Sequence, residues 1–173
     1  MTDAINPYGN DLGDHDAREA LHKTPNAIAA VVAAFGDSGL GRRLAPGKWT
    51  VTQILVHLAQ VELMFQSRLR LALTTPGLVV QPFDQDDFMR VDPSSDGRAA
   101  LDAYTSLRRF ALPLIDGLRP DVLGTALRHP EYGDISVGWL LACFAGHELR
   151  HLGQLQQIAA TGSTGSRGSK GRP

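Results

Sequence analysis

The stretch Gly146-His147-Glu148-Leu149-Arg150-His151-Leu152-Gly153-Gln154 carries two histidines four residues apart inside an apolar-periodic segment. On a helix, residues i and i+4 lie one turn apart on one face, so both imidazoles can reach a single ion. About one chain in five with this histidine content would hold such a pair by chance, so the pair needs a third ligand. His57 is the candidate, because it falls within the stripe Ile54, Leu58, Val61, Phe65 and Leu69 of another helix. A buried neutral imidazole needs a partner for both its donor and its acceptor. A shared metal satisfies one nitrogen on each of three rings, so His57, His147 and His151 are read as ligands; a trio of hydrogen-bonded core histidines is the alternative. His15, His22 and His129 lie at polar or loop positions and are read as ordinary residues.

His147-Glu148-Leu149-Arg150-His151 also matches the H-E-x-x-H zinc-peptidase signature. The extended form needs Gly and His three and six residues after the second His, where this chain has Gln154 and Gln157. No Asp or Glu follows His151 to serve as an acidic third ligand, so a peptidase of this type is rejected. Cys143 lies two turns before His151, roughly 12 Å along the axis, too far for one ion to join both; it reads as a small core residue. Glu148 is about 100° round the helix from His147, placed to orient a ligand or to face solvent. There is no nucleophile elbow, G-x-G-x-x-G or P-loop.

The elements that position these residues are helical. Residues 1–13 read as an extended lead-in, 14–160 as one helical domain, and 161–173 as a flexible Gly/Ser-rich tail. Thr24-Pro25 is expected to divide the first helical stretch in two. Thr50 and Gln53 form a capping-box pattern that opens a helix to about Leu73, with Gln60, Gln66, Arg68 and Arg70 mostly on its outer side. Phe83–Met89 reads as a short acid-capped helix, and Ser94 or Ser95 as the cap of a helix to about Leu118, with Pro113 inside it. Residues 119–134 read as a loop with one turn at Asp121–Leu123, and the last helix as starting at Ser136 and ending near Ala160. No strand pattern stands out, so the class is all-α, a helical bundle. An apolar content of 43% and a charged content of 20% are ordinary for a soluble globular protein. The net charge of −1 gives no reason to expect nucleic acid or an anionic membrane as partner. One cysteine, no signal-peptide pattern and no bilayer-length apolar run lead to the expectation of a cytoplasmic protein.

With the three histidines in place, the chain resembles the DinB/YfiT-like superfamily of metal-dependent enzymes. The resemblance covers about residues 7–160. It rests on Pro46-Gly47-Lys48-Trp49-Thr50 leading into a helix with His57, on Phe83-Asp84-Gln85-Asp86, on His129-Pro130-Glu131-Tyr132-Gly133, and on His147-x-x-x-His151-Leu152-Gly153-Gln154. It implies a four-helix bundle, often a homodimer, with nickel or zinc held by one histidine of the second long helix and two of the last. It also implies a small-molecule substrate and, in some relatives, a low-molecular-weight thiol such as bacillithiol or mycothiol used in S-transfer; others look like hydrolases. Three imidazoles leave an ion with an open position, a catalytic pattern. The nucleophile would be thiol or water, and metal binding without turnover is the third possibility.

Overall fold

A computed structural model describes residues 4–92 and 96–163. In chain order the elements are α1 (Gly9–Leu12), α2 (Ala17–Ala33), α3 (Val51–Thr74), α4 (Gln85–Val91), α5 (Gly97–Asp116), α6 (Pro120–Leu123), β1 (Ala126–His129), β2 (Gly133–Ser136) and α7 (Val137–Ser163). The four long helices, α2, α3, α5 and α7, form an all-α four-helix bundle in which α3 packs along α5 and α2 along α7. Their starts are fixed by side-chain caps. The Thr50 hydroxyl accepts from the Gln53 amide at 3.1 Å, and Gln53 Oε1 accepts from the Thr50 amide at 2.9 Å, the reciprocal capping box expected. Asp16 caps α2, Asp84 caps α4 and Ser136 accepts from the Trp139 amide at the start of α7; each such cap stabilises by about 1 kcal/mol.

Several expectations are corrected. The lead-in contains the helical turn α1. Pro25 does not divide the first helix: α2 runs unbroken through it. A proline has no N–H for the carbonyl four residues back, and that carbonyl, on Leu21, accepts instead from Arg108 Nη1 at 2.9 Å. Ser94 and Ser95 lie outside the described residues, and Asp96 caps α5. The last helix extends through 161–163, residues assigned to the tail; the remainder of that tail, 164–173, lies outside the described residues. The region read as a loop holds an antiparallel hairpin, with Leu127 opposite Ile135 and His129 opposite Gly133. Its four-residue strands turn few apolar side chains inward, too few for an alternating signal. The hairpin also ties down the chain after α3, where the Val80 amide donates to the Arg128 carbonyl at 2.9 Å and the Arg128 amide to Leu78 at 2.8 Å.

The core has two apolar halves. One gathers Phe65, Leu69, Ala111, Ile115, Leu140 and Phe144; the other gathers Ile28, Ile54, Leu55, Tyr104, Leu155 and Ile158. Between them, on three neighbouring helices, lies a layer of buried polar residues: His57 and Glu62 on α3, Arg108 on α5, and His147, Glu148 and His151 on α7. Gln60, Gln66 and Arg68 are buried too, contrary to their expected outward placement. Among the described residues no helix is long and apolar enough to cross a membrane.

Candidate metal centre

The buried layer brings the three expected ligands together. His57 Nε2 and His151 Nε2 each lie 3.0 Å from His147 Nε2, and one ligand atom from each ring falls within a common 4.8 Å. With metal–nitrogen bonds of about 2.0–2.1 Å, ligands at tetrahedral to octahedral angles stand about 2.9–3.4 Å apart, so the spacing fits three nitrogens on one ion. The other side of the His151 ring agrees. His151 Nδ1 meets Gln154 Oε1 at 2.8 Å; an Nδ1–H donating there leaves Nε2 with a lone pair for a metal. His57 Nδ1 and His147 Nδ1 are buried with no hydrogen-bond partner among the described residues. A donor set of three nitrogens suits nickel or zinc.

Burial keeps these rings neutral and able to ligate. It pushes His57 down to about 3, helped by His151, and His151 down to about 4; His147 is driven well below the usual histidine value by burial and by the other two rings. Aromatic walls hold them. Trp49 lies 4.8 Å from His57 and stacks at 6.4 Å on His151, while Tyr8 meets His147 edge-on at 5.0 Å. Tyr8 gets there because the chain before α1 crosses α7 at Gly146. A Cβ on Gly146 would fall on the Tyr8 carbonyl oxygen and 2.8 Å from Tyr8 Cβ, so only glycine permits the crossing.

Glu148 neither orients a ligand nor faces solvent. It is buried and pairs with Arg108, which also binds Glu62 at 2.6 Å. Burial pushes Glu148 up to about 6 despite the Arg108 charge. Cys143 is half-buried, its thiol pushed up to about 12 by burial. His15 and His22 are exposed, His22 beside Asp116 at 2.7 Å. His129 is buried, but its Nδ1 accepts from the Glu131 amide at 3.1 Å inside the hairpin, away from the trio.

Two clefts meet at the histidines. One of about 410 Å³ is lined by His57, Val61, Arg68, Leu140, Phe144 and His147, among others; a second of about 670 Å³ is lined by Lys48, Trp49, Arg150, His151, Gln154 and Gln157 among others. Tyr8 and His147 border both. Sequence reasoning missed Tyr8, Gln154 as the partner of His151, and Arg68. Arg68 had a usable signal: it follows His57 by eleven residues, just over three whole helical turns.

The DinB superfamily model matches residues 20–155. A protein of Oceanobacillus iheyensis named "putative metal-dependent hydrolase" is 27% identical over 152 residues, covering 87% of this chain and 83% of its own. One of Bacillus pumilus with the same name is 26% identical, covering 80% of this chain and 81% of its own. The solved structure of YfiT from Bacillus subtilis, described as a "probable metal-dependent hydrolase with an unusual four-helix bundle topology", superposes with a TM-score of 0.78 at 21% identity, covering 85% of this chain and 86% of that one.

Proposed function

Since the chain belongs to the DinB superfamily, we propose that it is a metal-dependent enzyme whose His57, His147 and His151 hold one nickel or zinc ion that activates a low-molecular-weight thiol for transfer to a small electrophile. The observation that carries this reading is the convergence of three Nε2 atoms in a buried layer where two separate clefts meet. A divalent ion on three neutral nitrogens keeps open positions and makes a thiol or water brought to it far more acidic. The protein's part is positioning. Gln154 fixes the His151 tautomer, and Trp49 and Tyr8 wall the rings against water. Lys48, Arg150, Gln154 and Gln157 make the larger cleft suitable for a polar, anionic thiol, while Val61, Leu140 and Phe144 make the smaller one suitable for an apolar-bodied electrophile. Two clefts give two substrates separate approaches to one centre, where they can be held in reacting geometry. Hydrolysis, with water as nucleophile, is the second reading, favoured by the names of the relatives.

The test is the metal content of tag-free protein, followed by a screen with labelled thiols and a halogenated aromatic. About one nickel or zinc per chain is expected, lost in His57→Ala and in His151→Ala, with thiol-dependent turnover of the electrophile. Turnover of simple esters or amides without thiol would favour hydrolysis. Failure to hold stoichiometric metal even after reconstitution would overturn both.

A further inference from the structure

Arg68 is a buried charge that the metal centre does not use. It lies on α3, and eleven residues at 100° each bring it to within about 20° of the direction of His57, about 16 Å farther along the axis. Both residues line the smaller cleft. Arg68 is only 9% exposed. One Nη2 hydrogen goes to the Gln81 carbonyl and the guanidinium lies 5.6 Å over the Phe83 ring. Its Nε is buried without a partner, and no carboxylate pairs with it within 4.0 Å among the described residues.

The neighbouring groups do not offset this charge. Asp84 and Glu131, the acids of the same cleft, are exposed, and Asp84 Oδ1 accepts from the amides of Asp86 and Asp87 at the start of α4. The Cys143 thiol in the cleft is neutral. Arg108, the other deeply buried arginine, is paired with two carboxylates. A guanidinium cannot discharge itself, and an unpaired buried charge costs stability. Its place in the wall of a cleft that ends on the metal ligands gives that cost a use, because the counter-charge can arrive with a ligand.

We propose that Arg68 is the anion-recognition residue of the smaller cleft, which takes a small molecule with a carboxylate at the Arg68 end and its reacting group at the histidine end. A single guanidinium matches the single charge of a carboxylate, in the pairing its donors suit best. Val61, Leu140 and Phe144 line the space between the two ends, which calls for an apolar body. The reacting end rests on the metal-centre reading; the carboxylate end stands without it.

Calorimetric titration of the full chain with 4-phenylbutyrate and with its primary amide, both metal-loaded and chelator-treated, tests this. The carboxylate is expected to bind at least about tenfold tighter than the amide, as a charged hydrogen-bonded contact provides. Arg68→Gln should equalise the two, Arg68→Lys should keep part of the preference, and metal content should not change in either. Equal affinities in the wild type, no binding of either probe, or a preference that survives Arg68→Gln would overturn the proposal. His57→Ala separates the readings: it should lose the metal and keep the carboxylate preference, so failure of the metal centre does not read as failure of the anion site.

Discussion

Arg108, Glu62 and Glu148 place one guanidinium between two carboxylates, all three almost wholly buried. Arg108 also satisfies the Leu21 carbonyl that Pro25 leaves free, so one side chain joins α2, α3, α5 and α7. Removing the cation leaves two buried acids facing each other, and breaking a buried pair in this way costs about 3–5 kcal/mol. Arg108→Met should therefore lower the free energy of unfolding by that amount in urea titration. Glu148→Gln should cost less, because Glu62 still balances Arg108 one to one. Both variants should hold about one metal per chain. Loss of metal in Glu148→Gln would mean that the glutamate acts on its neighbour His147, the role its H-E-x-x-H context suggests and its pairing with Arg108 opposes.

At the scale of elements, α1 and the residue before it form one wall of the site, held against α7 by the absence of a side chain at Gly146. Gly146→Ala forces overpacking worth about 1–3 kcal/mol, which is most easily relieved by lifting the short α1 rather than by bending α7. Chymotrypsin should then cut at Tyr8 in the folded variant and spare the wild type, while the metal stays bound; equal resistance in both would show that α1 is not displaced. Neither Tyr8 nor Gly146 announced this role, since an approach between segments distant in sequence leaves no periodic trace. The long helices were legible because their apolar periods and caps are local: Thr50 and Gln53 mark α3 without any tertiary information. The three clustered histidines were legible for the same reason, being set within those periods. What hid was polar and buried. Arg108 continues the period Leu101, Tyr104, Ala111 and Ile115, yet an apolar stripe traced through α5 runs past it to Leu107. Pro25 misled in the same way, because the partner that replaces its missing hydrogen bond sits on another helix.

At the scale of the whole molecule, the polar layer between the two apolar halves makes stability depend on pH. In metal-free protein the folded state holds His57 at about 3, His151 at about 4 and His147 well below 6.5, whereas unfolded imidazoles titrate near 6.5. Between pH 6.5 and about 4 the unfolded chain therefore binds more protons than the folded one, and stability falls as the pH falls, by up to about 1.4 kcal/mol per pH unit for each ring. Glu148 acts in the opposite sense: its folded value of about 6 lies above the usual 4.5, so acidification between those values favours the folded state. One carboxyl works against three imidazoles, and the net effect is destabilisation by acid. Chelator-treated protein should show a urea midpoint nearly constant from pH 8 to 7 and falling steeply below about 6.5. Reloading with nickel or zinc should raise the midpoint at neutral pH, because the ion binds the folded site in preference to the unfolded chain, and should steepen the acid limb as protons compete for the same nitrogens. The double variant His57→Ala/His151→Ala should flatten that limb in the metal-free protein. A midpoint unchanged between pH 7 and 5 in chelated wild type would mean that the imidazoles are not held neutral in the core, and the packing of the site between the two apolar halves would have to be abandoned.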